Sequence, residues 1–372
     1  MRILMLVSYP KIRGPLPKIT PLIVQSLRHQ GCEVTTAYWG RHRDAEGWMD
    51  KIVGRAQDVA AVRRVLKQQQ FDLMVVTTAH DRVAMLRDIP LLLATRGKRP
   101  PTVLQFHGSE PNTIQNGARP VFGFLSDFLV RMADGVMVLS SEERDLWQAV
   151  SPAGRFFVVT NPFVPYSEPL DNTRDRVPGG HTPVVLFVGR FIREKGIFDL
   201  LDAVAALPSD VAVRLVMAGG GIEEAELRRR TKKLGLDDRV DIVGYLEGER
   251  LQAAYRNADL FVLPTTWAEG FPTVLSEAMA AELPIVTTRM RGTADHLIEG
   301  VHSLFVPPHD PVALSAAIRR LVLDMDLRVA MGRANRRKVA DFAPGTVGRH
   351  YLDVLRAVQA NASAVCAVSA AG

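Results

Sequence analysis

The stretch Glu269-Gly270-Phe271-Pro272-Thr273-Val274-Leu275-Ser276-Glu277-Ala278-Met279-Ala280 decides how the chain is read. Just before it, Ala258-Asp259-Leu260-Phe261-Val262-Leu263-Pro264 is a short apolar run closed by a proline, which predicts a buried parallel strand ending at Pro264. A loop follows to Phe271. Pro272 suits the first position of a helix, and Val274, Leu275, Ala278 and Met279 place apolar groups on one face from there on. A strand, a loop and a helix start in that order make a ligand site, because the first amides of the helix are unpaired and the positive end of its dipole attracts phosphate.

Two glutamates beside a phosphate site contradict each other unless they bind hydroxyls. An ionised carboxylate is an acceptor only and takes two hydroxyl donors at once; a sugar nucleotide offers hydroxyls and phosphate together. Pro272 prevents the two from being an i, i+8 pair on one helix, so Glu269 belongs to the loop and Glu277 lies about one turn in. With its Gly-Phe-Pro-Thr insert between strand and helix, the run resembles the Glu-x7-Glu motif of the family 4 retaining glycosyltransferases. The resemblance implies an α/β chain of GT-B fold, two facing Rossmann-like domains with a donor cleft between them. It implies that Glu269 contacts hydroxyls of the transferred sugar and Glu277 the ribose, with Gly270, Phe271, Thr273 and Val274 also at the donor.

A chain of 372 residues is too long for one ordinary domain and suits two of about 150 to 200 residues. No apolar run approaches the ~20 residues of a membrane span, and Met1-Arg2-Ile3-Leu4-Met5-Leu6-Val7-Ser8 reads as a strand rather than a signal peptide. The expectation is a soluble, cytoplasmic protein. Its two cysteines, Cys32 and Cys366, imply no disulfide or metal framework. The net charge of +6 is uneven: 21 Lys/Arg stand against 15 Asp/Glu up to residue 170, and 25 against 25 beyond it. The whole excess lies in the first half, which points to an anionic partner there, a phosphorylated lipid or the inner face of a membrane, or else to an ordinary soluble surface. The basic residues are dispersed, with no helix-turn-helix, zinc or aromatic-basic ribonucleoprotein pattern, so nucleic acid is not the expected partner.

In the first half, the opening strand runs into the polar loop Ser8 to Lys18 and a helix from about Thr20 to Gln30. In the resembling family this loop carries a glycine pair at the donor phosphate; here one glycine, Gly14, stands for it. Tyr38 to Trp48 alternates aromatic and basic residues without periodicity, an excursion whose tryptophans are expected to pack on the domain, with a lipid interface as the other reading. A helix from about Asp50 to Gln69 precedes the strand Leu73-Met74-Val75-Val76. The next strand, Thr102 to Phe106, ends in His107-Gly108, and a histidine at a strand's carboxyl end occupies the crevice position of open α/β sheets. The family has a matching histidine on the transferred sugar, which His107 would supply. Val121, Phe122, Phe124, Leu125, Phe128, Leu129 and Met132 have helical spacing and read as core, with contact to an acceptor lipid as the minor reading.

A second Rossmann-like unit opens at Pro183. Its first strand leads into Gly189-Arg190-Phe191-Ile192-Arg193-Glu194-Lys195-Gly196, where cations between strand end and helix start make an anion clamp. The family's Gly-Arg-x4-Lys-Gly pattern implies that Gly189, Arg190 and Lys195 hold the donor diphosphate and stabilise it as leaving group. Val213 to Gly221 is a strand feeding a glycine loop, a tight turn that lacks the GxGxxG spacing of a hydride-transfer cofactor site. Tyr245, after the strand at Val240, falls where the family reads the nucleotide base. Gly292 to Ile298 departs from the family's Gly-Gly-x-x-Glu run. Asp324-Met325-Asp326 resembles a metal-chelating pair only in letters, and with two cations facing the diphosphate no catalytic metal or other cofactor is expected.

The expected organisation is an N-terminal acceptor-binding domain (1–165), a linker (166–183), a C-terminal nucleotide-sugar domain (184–345), a helix returning to the first domain (346–360) and a flexible tail (361–372). The resemblance implies a retaining transfer of a hexosyl group from a UDP- or GDP-sugar to a hydroxyl of a glycan, lipid-linked or small-molecule acceptor, in glycan or glycolipid biosynthesis. A catalytically silent GT-B binding protein, or an epimerase or phosphorylase of similar architecture, is the alternative.

Overall fold

The computed structural model describes residues 1–12, 16–43, 46–109, 120–165 and 182–371. They form two compact units, one made of 1–163 with 343–372 and the other of 164–342. Gly14, and most of the expected linker, lie outside the described residues.

The first unit alternates strands and helices: β1 (Arg2–Val7), α1 (Leu16–His29), β2 (Glu33–Tyr38), α2 (Trp48–Gln68), β3 (Leu73–His80), α3 (Arg82–Thr95), β4 (Thr102–Ser109), α4 (Pro120–Arg131), β5 (Gly135–Val138), α5 (Ser141–Val150) and β6 (Phe156–Val158). Such alternation requires parallel pairing, and the six strands pair parallel in the order β2-β1-β3-β4-β5-β6. Both faces of the sheet are covered, so β1 is buried almost throughout and its side chains divide by parity. Ile3 and Met5 pack with Ile23 and Leu27 of α1 and with Tyr351 and Leu355 of the chain's last helix. Leu4 and Leu6 pack with Val62 of α2, Leu92 of α3, Leu129 of α4 and Trp147 of α5.

The structure corrects several local expectations. α1 starts at Leu16, not near Thr20; Pro17 falls in its first turn, where a missing N–H removes no helical bond. Of the two tryptophans in the 38–48 excursion, Trp39 is buried and donates from Nε1 to Asp88 at 2.8 Å, while Trp48 is 71% exposed. On α4, Phe122 and Leu129 face the core but Val121, Phe124 and Phe128 face solvent. The last helix spans Pro344–Ala371, through the residues expected as a tail, because alanines at 360, 362, 364, 367 and 370 favour the helix more than any other residue type. It belongs to the first unit: Ser26 of α1 donates to the Pro344 carbonyl at 2.7 Å, and Tyr351 is hydrogen-bonded to Gln105 in the sheet.

The second unit contains β7 (Val184–Val188), α6 (Ile197–Ala205), β8 (Arg214–Ala218), α7 (Glu224–Lys233), β9 (Val240–Gly244), α8 (Gly248–Asn257), β10 (Leu260–Leu263), α9 (Thr273–Ala280), β11 (Ile285–Thr288), α10 (Gly292–His296), β12 (Ser303–Val306), α11 (Pro311–Leu323) and α12 (Met325–Lys338). Its parallel sheet has the order β12-β11-β10-β7-β8-β9, the Rossmann order 3-2-1-4-5-6 read from the other edge. The strand order therefore reverses between β7 and β10, which pair at Val185–Leu260 and Leu186–Phe261. Ligands of such sheets bind outside the carboxyl ends of the strands at that reversal.

Candidate functional site

The two loops that leave the reversal point are built against each other. After β7, the Gly189 amide donates to the Ala218 carbonyl at 3.0 Å and the Phe191 amide to the Gly220 carbonyl at 2.9 Å. The glycine loop after β8 is thus the backing of the Arg190 loop. Gly219 has φ +146°, and a Cβ there would lie 1.8 Å from the Gly189 carbonyl oxygen, so no other residue can hold this contact. A short 3-10 turn, Arg193–Lys195, ends at Gly196 with φ +69°, where a Cβ would come within 2.2 Å of the Pro264 carbonyl oxygen at the end of β10. This approach lets the Glu194 carbonyl accept from the amides of Thr266 and Trp267, at 2.7 and 3.1 Å.

The same contact places the charged groups. Lys195 is buried and forms an ion pair with Glu269, which is partly exposed. Arg190 is exposed and stands over the indole of Trp267, 5.1 Å from its centroid, a cation–π contact that holds the guanidinium beside the loop without neutralising it. Arg291, only 2% exposed and at φ +43°, donates to the Ala268 carbonyl at 3.4 Å and braces the loop from just before the Gly292–Ile298 segment.

The helix after the loop, α9, starts one residue later than expected. Pro272 is its N-cap, extended at φ −60° and ψ 128°, and Thr273 is the first helical residue. Thr273 is exposed, and Val274 and Glu277 are half-buried. Glu277 accepts from the hydroxyl of the fully buried Tyr255 on α8 at 2.7 Å, which fixes the carboxylate's direction. Phe271 stacks on Phe342 at 4.7 Å and meets His296 edge-on at 5.3 Å, so its ring belongs to the packing and only its backbone is left for a ligand. Gly270 is buried beside it. Tyr245, 70% exposed, donates to the Gly220 carbonyl at 3.0 Å, which lays its ring beside the glycine loop.

The structure therefore brings Gly189, Arg190, Lys195, Glu269, Gly270 and Glu277 to one strand-end region of the second unit, with Tyr245 on the neighbouring loop. Trp267 and Tyr255 are the residues of this candidate site that sequence reasoning missed. Trp267 had a signal, an aromatic two residues before Glu269; Tyr255 had none, because its partner lies 22 positions away on another helix. Asp324 caps α12 by accepting from Leu327 at 2.9 Å and, with Asp326, borders an open cavity of about 670 Å³ among peripheral helices. Among the described residues no cluster of three or more His, Cys, Asp or Glu is placed to hold a metal ion.

His107 lies in the first unit, in the last residues of β4 before Gly108 at φ +145°. Both ring nitrogens are buried without a partner among the described residues, and burial pushes its pKa down to about 4. A neutral imidazole can donate from one nitrogen and accept at the other. His80, on β3, is a packing histidine: it lies 4.6 Å from Trp147 and 5.1 Å from Phe122, pairs with Ser126 at 2.9 Å, and is pushed down to about 4 by burial, against the opposing charge of Asp81.

These shifts set a pH dependence. An unfolded chain binds protons on histidine near pH 6.5, whereas the folded chain refuses them down to about pH 4. The stability held by neutral histidine is fully present above pH 6.5 and is lost as pH falls towards 4. For His80 the loss is about 3 kcal/mol at roughly 1.4 kcal/mol per pK unit. The thermal midpoint is expected to drop steeply over that window, and His80→Gln to flatten the drop; a wild-type midpoint constant from pH 6.5 to 4 would contradict it.

Residues 172–338 match the family model for glycosyl transferases group 1, and residues 12–162 match the glycosyl transferase 4-like domain. The D-inositol 3-phosphate glycosyltransferase of Corynebacterium kroppenstedtii is 32% identical over 182 residues, 47% of this chain and 40% of that one. The alpha-D-kanosaminyltransferase of Streptomyces kanamyceticus is 28% identical over 246 residues, 62% of this chain and 64% of that one. The chain thus spans less than two thirds of the length of either relative. Sucrose-phosphate synthase from Thermosynechococcus elongatus superposes with a TM-score of 0.73 at 21% identity, over 97% of this chain and 99% of that one. Anabaena HepE in complex with UDP superposes with a TM-score of 0.72 at 19% identity, over 96% and 100%. These likenesses establish the GT-B fold, and with a family model matched in each half the chain belongs to the group 1, family 4 glycosyltransferases.

Proposed function

We propose that the chain transfers a hexosyl group from a nucleotide-diphosphate sugar to a hydroxyl acceptor with retention of anomeric configuration. One observation carries this reading: the Rossmann reversal point of the second unit has two cations in the loop after β7, and two oriented carboxylates in the loop after β10 and on the helix that follows it. Cations suit the diphosphate, and carboxylates suit sugar and ribose hydroxyls. The solved HepE structures contain UDP and UDP-glucose, which supports UDP as the nucleotide, with GDP the other expectation.

In this mechanism Arg190 and Lys195 face the diphosphate and stabilise the charge that gathers on it as the glycosidic bond breaks. Lys195 turns from Glu269 to phosphate, and the released carboxylate accepts hydroxyls of the transferred sugar. Glu277, held by Tyr255, accepts the ribose hydroxyls; Tyr245 lies against the base, and the backbone of Gly189, Gly270, Phe271, Thr273 and Val274 lines the donor. The resemblance also assigns a sugar contact to His107, whose neutral imidazole can donate from one nitrogen and accept at the other. Glu269 is engaged with hydroxyls, so no carboxylate serves as nucleophile, and the acceptor attacks on the face the diphosphate leaves, which assists by taking the acceptor's proton. The two cations replace a metal ion in this scheme. The acceptor is a glycan, lipid-linked or small-molecule hydroxyl.

Calorimetric titration with UDP-, GDP- and ADP-sugars tests the donor site. The wild-type chain should bind one nucleotide class, and Glu277→Gln should raise that dissociation constant by about tenfold, the loss of a hydrogen-bonded charge. Binding that held while only turnover fell would refute the ribose role.

A further inference from the structure

We propose, resting on the sugar contact assigned to His107, that Glu143 is a positioning residue: by gripping Ser109 it locks a one-residue bulge at His107 and Gly108, and so fixes where the His107 imidazole points. β3 and β4 pair in regular parallel register from Met74 with Thr102 to Thr78 with Phe106, and pairing then resumes at His80 with Ser109. Two steps along β3 thus meet three along β4. The extra residue falls at His107 and Gly108, and such bulges re-aim side chains. Gly108 takes it up at φ +145°, a conformation that other residues rarely adopt, although nothing lies within 4 Å of where a Cβ would be. The parity of the strand shows the same shift, since alternate side chains of a regular strand share a face. Val103 packs in the cluster with α1 and the last helix, and Gln105 is bonded to Tyr351 on that side; Leu104 and Phe106 face the opposite cluster, with Trp147. An unbulged Ser109 would follow Val103 and Gln105. Instead its hydroxyl accepts from the Trp147 indole at 3.0 Å and is bonded to the Glu143 carboxylate, both on α5.

Glu143 is 1% exposed, and its other carboxylate oxygen accepts from the Leu139 amide, just beyond β5, at 2.9 Å. Part of this has an ordinary reading. Ser140 caps α5 by accepting from the Glu143 amide at 3.1 Å, and Ser-x-x-Glu is the sequence of a capping box. A cap has no need of a bond to a residue 34 positions away on another strand. A buried carboxylate that loses a donor is strongly disfavoured. A slip of β4 by one residue, which turns Ser109 to the other face, is therefore penalised at Glu143. The bulge held in this way sets the direction of His107, whose two ring nitrogens are buried with no partner among the described residues. Unpaired polar atoms in a buried place mark where a hydrogen-bonding ligand is received.

Ser109→Ala removes the hydroxyl alone, and Glu143→Met keeps the buried stem without an acceptor; either variant suffices if the other fails to fold. Crystal structures of the full chain should show the His107 imidazole redirected, or spread over two directions, in both. Calorimetric titration with UDP-glucose or GDP-glucose, whichever the wild type binds, and with the corresponding free diphosphate reads the consequence. His107 meets only the sugar in the proposed mechanism. Both variants should therefore weaken nucleotide-sugar binding about threefold to tenfold, the loss of a neutral hydrogen bond, and leave diphosphate binding unchanged. In a His107→Ala background, Ser109→Ala should change neither affinity further, an outcome that a merely structural loss would not give. A His107→Ala variant that binds the nucleotide sugar as the wild type does would refute the sugar contact, and the crystal structures would then decide the bulge lock by themselves. Variants that keep both the bulge and the His107 direction, or that weaken both ligands alike, would overturn the proposal.

Discussion

Arg190→Ala and Lys195→Ala are each expected to lower transfer about a hundredfold to a thousandfold, the usual loss when one preorganised charge is removed from a leaving group. The two substitutions should separate in stability. Arg190 is exposed and rests on Trp267, so its removal leaves the fold unchanged within about 0.5 kcal/mol. Lys195 is 7% exposed and ion-paired, so Lys195→Ala strips Glu269 of its partner and should lower the thermal midpoint as well. Lys195→Met, which keeps the buried stem without the charge, controls for packing. Steady-state turnover alongside a thermal melt measures both effects, and unchanged turnover in both alanine variants would refute the clamp.

Glu269→Gln should divide the ligands in opposite directions. In the ligand-free chain the Glu269 carboxylate already neutralises Lys195, so free nucleoside diphosphate must displace it. Removing that competing charge should tighten UDP or GDP binding several-fold. Transfer should fall by about a hundredfold or more, because the amide accepts sugar hydroxyls more weakly than the carboxylate does. In the proposed mechanism the same competition would give Glu269 a part in product release, the carboxylate returning to Lys195 as the diphosphate departs. Inhibition constants for the nucleoside diphosphate, measured with kcat on both proteins, check this. Equal or weaker diphosphate binding in Glu269→Gln would show that the ion pair does not compete.

The second unit was the more legible half because its signals are local. The apolar run Leu260–Leu263 closed by Pro264, the helix from Thr273, and the cations after Val188 each declare an element within a few residues, and the structure keeps them within a residue or two. What escaped was tertiary. That Gly219 exists to admit the Gly189 carbonyl, or that Tyr255 steers Glu277, depends on contacts 22 to 30 positions apart that periodicity does not encode. Even the ion pair between Lys195 and Glu269 joins two residues read separately, one for phosphate and one for sugar. In the first unit the exposed face of α4 was misread for a different reason. Helical spacing reports how apolar residues are arranged around an axis, and Phe124 and Phe128 form a second apolar stripe that no other element among the described residues covers. The alanine-rich end of the last helix looked like a tail because it lacks a core stripe, yet its propensity alone extends the helix.

Titration of the wild-type chain, Arg190→Ala and Glu277→Gln with the nucleotide sugar of the preferred class tests the central claim most directly, since it asks whether the β7–β10 reversal point is the donor site. The account predicts one site per chain, with affinity weakened about tenfold or more by each substitution and both variants as thermally stable as the wild type. Binding of the same affinity in all three proteins would place the donor elsewhere and contradict it.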